Sequence, residues 1–401
     1  MTPLYLDANA TEPLRPEARA AAIEAMDLVG NPSSVHAEGR AARRVLEAAR
    51  RQLAARFDAA PADVIFTSGG TEADALAMAG LAVPQGAPGA VASDNAAQPG
   101  RRVLAGSTEH PAVLAAVPEE ARLPVLPTGE IDLAALDAVL RDGPPALVCL
   151  MLANNETGVL NPVAEAAAIC HRHGAILHVD ATQAAGRIPV SLRALGADSL
   201  AVSGHKLGGP KGAGALILRP GLHLLPVTVG GGQERGRRGG TEALPAIAGL
   251  GAAALAADPA AATRLAALRD RIEALVLGNA SGAGASADLI ANRAGFAAGA
   301  AAPRLPNTTN LVLPGIPAET QVIALDLLGV RVSAGSACSS GKVARSAVLA
   351  AMGLGEAAGC AIRVSLPWNT PDDAPERFAQ AYAAMRGTLS QRNEVRATSA
   401  A

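Results

Sequence analysis

The densest grouping of residues able to do chemistry lies between His178 and Gly214. One apolar run ends in Val179-Asp180 and continues as Ala-Thr-Gln183, and a second, Ser199 to Val202, leads into Ser203-Gly-His205-Lys206. In open α/β sheets the carboxyl ends of strands face the ligand crevice, which brings Asp180 and Lys206 to one space. A carboxylate and an amine on one ligand suit pyridoxal phosphate. Its aldehyde forms a Schiff base with a lysine, while a carboxylate keeps its pyridine nitrogen protonated as an electron sink. Taken singly, the same residues read as a helix-capping aspartate and a solvated lysine.

A phosphate site should accompany the pair. Phe66-Thr-Ser-Gly-Gly-Thr71-Glu72 reads as strand, small-residue turn and helix start, which offers free backbone N–H groups at the positive end of a helix dipole. Simple capping would need the same residues. His110, in Ser107-Thr-Glu-His110-Pro111, lies beyond another apolar run and could stack on a planar ring, or could simply begin a helix. Arg363, in Ile-Arg-Val-Ser-Leu, could fork onto a carboxylate or sit in a structural ion pair.

The four cysteines separate by context. Cys149 lies in an apolar run, Cys170 among helical alanines and Cys360 just before a strand, so these three read as packed thiols. Cys338 stands instead in Ser-Ala-Gly-Ser-Ala-Cys-Ser-Ser-Gly341, where small residues allow a mobile, exposed loop.

The elements that must position these groups alternate through the first 260 residues. Apolar runs at Val64, Ala146, Ala175 and Ser199 are separated by helical patterns such as Ala37 to Arg56 and Val163 to His173. The expectation is a mainly parallel sheet covered by helices. A long Ala/Leu helical pattern then runs to Leu277, followed by a loose Gly/Ala stretch at 278–303. Strands are expected at Asn310 to Leu313, Val330 to Ser333 and Ile362 to Ser365, in a smaller α+β domain. Residues 82–100 read as a surface loop and the tail after Gln391 as frayed.

Half of the 401 residues are apolar and 17% are charged, ample for a buried core and unlike a disordered chain. The length suggests two domains. With 2% aromatics and a net charge of −2, there is little to stack bases and no global attraction to polyanions or anionic membranes. Uncharged stretches such as Ala243 to Ala257 are too short for a bilayer, and no signal-type segment opens the chain. Few cysteines, none in a metal-type pair, suit a reducing compartment. The expectation is a soluble cytoplasmic protein that binds neither nucleic acid nor membrane.

Ordered motifs sharpen this reading. Tyr5-Leu-Asp-Ala-Asn-Ala-Thr11, Gly30-Asn-Pro-Ser-Ser-Val-His36, Phe66 to Glu72, Thr108-Glu-His110 and Asn154-Asn-Glu-Thr-Gly158 come first. His178 to Gln183, Ser203 to Gly212, Gly230 to Gly236, Gly240-Thr241, Ser336-Ala-Cys338-Ser339 and Ile362 to Leu366 follow. Together they resemble a cysteine desulfurase of the NifS/IscS-like group, among the class V aminotransferase-type enzymes.

The resemblance implies the aspartate-aminotransferase-like fold type I, with a large pyridoxal-phosphate domain over 15–258. A small domain over 1–14 and 259–401 would carry the catalytic cysteine loop. It also implies that Lys206 bonds the cofactor, Asp180 pairs the pyridinium nitrogen, His110 stacks and Gln183 meets the phenolic oxygen. Asn155 would lie near ring and substrate. Gly70, Thr71, Ser203 and His205 would hold the phosphate, with Thr241 reaching that of the other subunit in a homodimer. Arg363 would take the substrate carboxylate, and Cys338 would take sulfur from L-cysteine as a persulfide, leaving alanine. Lys206 is the natural proton carrier and His110 a second acid-base candidate. The activity would be of the EC 2.8.1.7 type, with sulfur passed to an acceptor protein such as an iron-sulfur scaffold.

Three positions depart from the group's usual pattern: Ala8, Ala243 and Pro367-Trp368-Asn369. They bear on pocket, dimer contacts and the carboxylate site. A class V aminotransferase or selenocysteine lyase would use the same cofactor, but an aminotransferase needs no mobile thiol. Glu234-Arg-Gly-Arg-Arg-Gly-Gly240 could instead be an Arg/Gly nucleic-acid segment, against which the charge balance and aromatic scarcity weigh. His171, His173 and His178 do not share one face, so no metal site is expected.

Overall fold

The computed structural model describes residues 2–82, 100–278, 295–335 and 345–399, with side chains to 389. Cys338 and most of the 82–100 and 278–303 stretches lie outside them. The described strands are β1 (Leu4–Tyr5), β2 (Val64–Thr67), β3 (Arg102–Gly106), β4 (Arg122–Leu123), β5 (Ala146–Met151) and β6 (Ile176–Asp180). They continue as β7 (Ser199–Ser203), β8 (Gly214–Leu218), β9 (Phe296–Ala297), β10 (Thr308–Val312), β11 (Val330–Arg331) and β12 (Ala361–Ser365).

Seven strands form one sheet in the order β2-β8-β7-β6-β5-β3-β4. Its pairings are parallel except at β8, which runs against both β2 and β7. The two-residue period of a strand explains how the sheet is held. Ala146, Val148 and Leu150 of β5 face a core with Leu46 and Leu53 of the helix Ala37–Arg56, whereas Leu147 and Cys149 face Leu76 and Met78 of the helix Gly70–Ala82. A sheet buried on both faces needs continuous apolar runs, which the central strands supply. Each fully buried Leu or Val contributes about 1.5–3 kcal/mol.

A second body gathers β12-β10-β9 and the parallel pair β1-β11. Leu4 and Leu6 pack there with Leu311, Ile362 and Val364, closed by Phe378 and Tyr382 of the helix Ala374–Ser399, whose rings stack at 5.7 Å. The architecture is α/β with a mainly parallel sheet, beside a smaller α+β part.

The expected long helix up to Leu277 is two helices, Leu244–Ala256 and Ala262–Leu277. Pro259 lacks an N–H, and Asp258 caps the turn between them by accepting from Ala260 N–H at 2.8 Å. The C-terminal helix continues to Ser399, past the expected fraying at Gln391, through a stretch with neither Gly nor Pro. β11 stops at Arg331, and Ser333 forms only an isolated bridge to Arg363. Among the described residues, no single helix is long and apolar enough to cross a membrane.

Candidate active site

β6 carries the key alternation. Leu177 and Val179 enter one core, which turns His178 and Asp180 to the other face, beneath the helix Gly70–Ala82. At the carboxyl end of the sheet on that side lies a cavity of about 210 Å³. It brings together Gly70, Thr71, His110, Asn155, Asp180, Gln183, Ser203, His205 and Lys206. Asp74, Met151, Ala153 and Thr182 complete its lining.

The turn before the helix Gly70–Ala82 is tightly built. Glu72 reaches back to accept from Ser68 N–H at 2.7 Å, while the N–H groups of the first helical turn have no carbonyl one turn earlier to bond. A Cβ at Gly70 would lie 2.8 Å from Thr182 Oγ1, itself a buried hydroxyl with no partner among the described residues. Glu72 also accepts from Arg238 Nε at 2.7 Å, and these bonds pull its carboxyl down to about 2 against the opposing effect of burial.

Lys206 follows β7 in a short 3-10 turn. Its Nζ donates to the Ala10 carbonyl at 3.1 Å and to the Asn9 carbonyl. Burial first, then the charges of Arg363 and Arg187, draws this amine down to about 7. Asp180 accepts from Thr182 N–H at 2.8 Å, which fixes the carboxylate at the strand end. His110 caps the short helix Pro111–Leu114 by accepting from Ala112 N–H on Nδ1 at 3.1 Å. Burial keeps its ring below the ordinary imidazole range, so the neutral ring carries its proton on Nε2.

His205 is pushed to about 4 by burial and then by Lys206, Lys211 and Arg187. Because the Thr11 hydroxyl donates to the Ala10 carbonyl, the Thr11 oxygen accepts from His205 Nδ1 at 3.1 Å. Gln183 donates through Nε2 to the Asn9 carbonyl at 3.0 Å, and its Oε1 accepts from Arg187.

Residues 7–12 therefore form a strap that sequence reasoning did not find. It joins the β1 side to the large sheet: Ala8 N–H bonds the Ser365 carbonyl, and Glu12 N–H bonds the His205 carbonyl at 2.9 Å. Glu12 also accepts from Arg187 at 3.2 Å and from Trp368 N–H at 2.6 Å. Thus Trp368, one of the departures, helps anchor the strap. Asp74 was missed as well, although it stands one helical turn beyond Thr71. It meets His178 Nε2 at 3.1 Å, while His178 Nδ1 meets Ser199 Oγ at 2.8 Å. Burial pushes Asp74 well up and His178 down to about 4.

Two expected residues stand outside the cavity lining. Thr241 is exposed beyond the Arg/Gly stretch. Arg363 is buried in β12 and pairs with Asp7 at 2.7 Å, the ion pair that was its alternative reading. The Arg/Gly stretch is held internally. Glu234 forms a bidentate pair with buried Arg50 at 2.8 Å and accepts from Phe66 N–H, and Arg238 binds Glu72. Arg237 donates to the Ala62 carbonyl at 2.8 Å. Arg237 and Arg238 are thereby tied to the large sheet's surroundings.

His171 and His173 turn to Asp198 and Asp137, apart from His178. Cys149 and Cys170 are buried, which raises both thiols, Cys170 to about 12.

Residues 4–374 match the family Aminotransferase class-V. A cysteine desulfurase of Cereibacter sphaeroides is 42% identical over 386 residues, covering 92% of each chain. The solved NifS-like protein from Rickettsia africae is 31% identical with a TM-score of 0.81, covering 96% of this chain and 99% of that one. A structure described as SspA in complex with cysteine is 26% identical with a TM-score of 0.72, covering 91% and 99%. With this cavity at the carboxyl edge of its parallel sheet, the chain belongs to the cysteine desulfurase family within the class V aminotransferases.

Proposed function

We propose that this chain is a pyridoxal-phosphate-dependent cysteine desulfurase of the EC 2.8.1.7 type. It would convert L-cysteine to L-alanine and hold the sulfur as a persulfide on Cys338. The observation that carries the reading is the half-buried Lys206 amine, drawn down to about 7, sharing one cavity with Asp180, His110 and the turn at Gly70.

The donors suit the cofactor. An anion fits the first-turn N–H groups at Gly70 and Thr71, with the unpartnered Thr182 hydroxyl beside them. Ser203 and His205 would complete the phosphate set, His205 gaining a proton there. Thr241 would serve the phosphate of the other subunit in a homodimer. Asp180 would pair the ring nitrogen, His110 would stack, and Gln183 has one Nε2 hydrogen left for the phenolic oxygen.

When bound, pyridoxal phosphate supplies an electron sink that weakens bonds at the substrate α-carbon. Lys206 Nζ would hold the cofactor through its aldehyde and, as a free amine, would take the substrate α-proton. Asn155 and Arg363 orient the substrate. The Cys338 thiolate attacks the substrate sulfur, so an S–S bond forms as C–S breaks and the electron pair stays with carbon. That carbon takes a proton, and the product leaves as alanine. The persulfide then passes to an acceptor protein such as an iron-sulfur scaffold. We place the enzyme in the cytoplasm, and assign 15–258 to a large domain and 1–14 with 259–401 to a small one.

The test is a visible spectrum of the purified protein together with alanine and sulfide assays after adding L-cysteine and a thiol reductant. A Schiff-base band with matched products supports the proposal. A band without products points to another reaction of the same cofactor, and no band after cofactor addition overturns it.

A further inference from the structure

We infer that Asp7 is a positioning residue for substrate recognition, fixing the Arg363 guanidinium so that its remaining donors take the substrate α-carboxylate. The inference rests on Arg363 being the carboxylate site. Arg363 Nη2 donates to Asp7 Oδ1 at 2.7 Å and Nη1 to the Asn155 carbonyl at 3.1 Å, while Nε is buried with no partner among the described residues. Of five N–H donors in a rigid plane, two are fixed at opposite nitrogens, and the other three have no acceptor among the described residues.

Asp7 is itself held in register. It bridges Ser365, two residues beyond Arg363 on the same strand, and its carbonyl accepts from Tyr5 Oη at 2.9 Å and Ala10 N–H at 3.0 Å. Asp7 also supplies the counter-charge without which Arg363 would be a buried, unpaired cation beside the Lys206 amine. The Asn155 carbonyl links the same fork to the cavity, since Asn155 lines it.

The cofactor-loaded enzyme tests this through KM and kcat for L-cysteine and the inhibition constant of L-alanine, which carries the carboxylate but no thiol. Asp7→Ala is expected to raise KM and the alanine constant together by about tenfold or more. The kcat should move less than about threefold, because the lost contact is made equally in ground and transition states. Asp7→Asn keeps an acceptor oxygen and should fall between parent and Asp7→Ala. It also decides the matter if Asp7→Ala fails to fold. Unchanged KM and alanine binding, or a loss confined to kcat, overturns the role. Arg363→Ala separates the layers. If it leaves alanine binding intact, the carboxylate assignment falls; if it weakens alanine binding while the Asp7 variants do not, the role of Asp7 alone falls.

Discussion

The Lys206 amine donates to the carbonyl of Asn9, a residue 197 positions earlier, and Gln183 donates to the same oxygen. One backbone carbonyl thus gathers the lysine and a cavity-lining amide onto the strap.

An amine drawn down to about 7 changes when the lysine can react. Below that pH it is protonated and non-nucleophilic; above it the free base predominates. Stopped-flow absorbance of cofactor-free protein mixed with pyridoxal phosphate should show capture rising with pH to about 7 and then levelling. A rate still climbing beyond pH 9 would indicate an ordinary lysine.

His178 links stability to acid. Its folded value of about 4 lies below its unfolded one, so its contribution is complete above about 6.5 and is lost as pH falls through 4. At about 1.4 kcal/mol per unit the full shift amounts to between about 3 and 4 kcal/mol. Urea midpoints between pH 7 and 4 should fall more steeply in the parent than in His178→Gln.

Cys338→Ala should retain the cofactor band and lose sulfide release, since the acceptor for sulfur is gone while every cavity-lining group remains. Equal sulfide production by parent and variant would exclude Cys338 as nucleophile. Lys206→Ala should lose the band itself.

Glu234→Ala leaves Arg50 buried without its bidentate partner, a loss of about 3–5 kcal/mol. Calorimetry should record a lower Tm. Because Glu234 sits with Arg235 in left-handed backbone at the start of the Arg/Gly stretch, the loop leading to Thr241 should also become more sensitive to protease.

That His110, Asp180 and Lys206 share one cavity was legible because each comes after an apolar run that reads most economically as a buried strand, and strand ends point at the crevice. The turn at Gly70 was legible from its small residues. The strap was not, because its partners lie 146 to 358 residues away and a bond between a side chain and a distant carbonyl leaves no periodic trace. The break at Pro259 is the opposite case: a local signal was present, and the apolar pattern on either side concealed it. The pairing of Arg363 lay between the two, since a lone strand arginine signals a partner without saying whether it is a ligand or a neighbour.

The strap has a consequence for how the protein is made. Asp7 emerges from the ribosome 356 residues before Arg363, and Leu4–Tyr5 long before Val330–Arg331. The large sheet can form while the first segment still waits for its partners. Lys206 therefore acquires its finished surroundings only once translation is nearly complete.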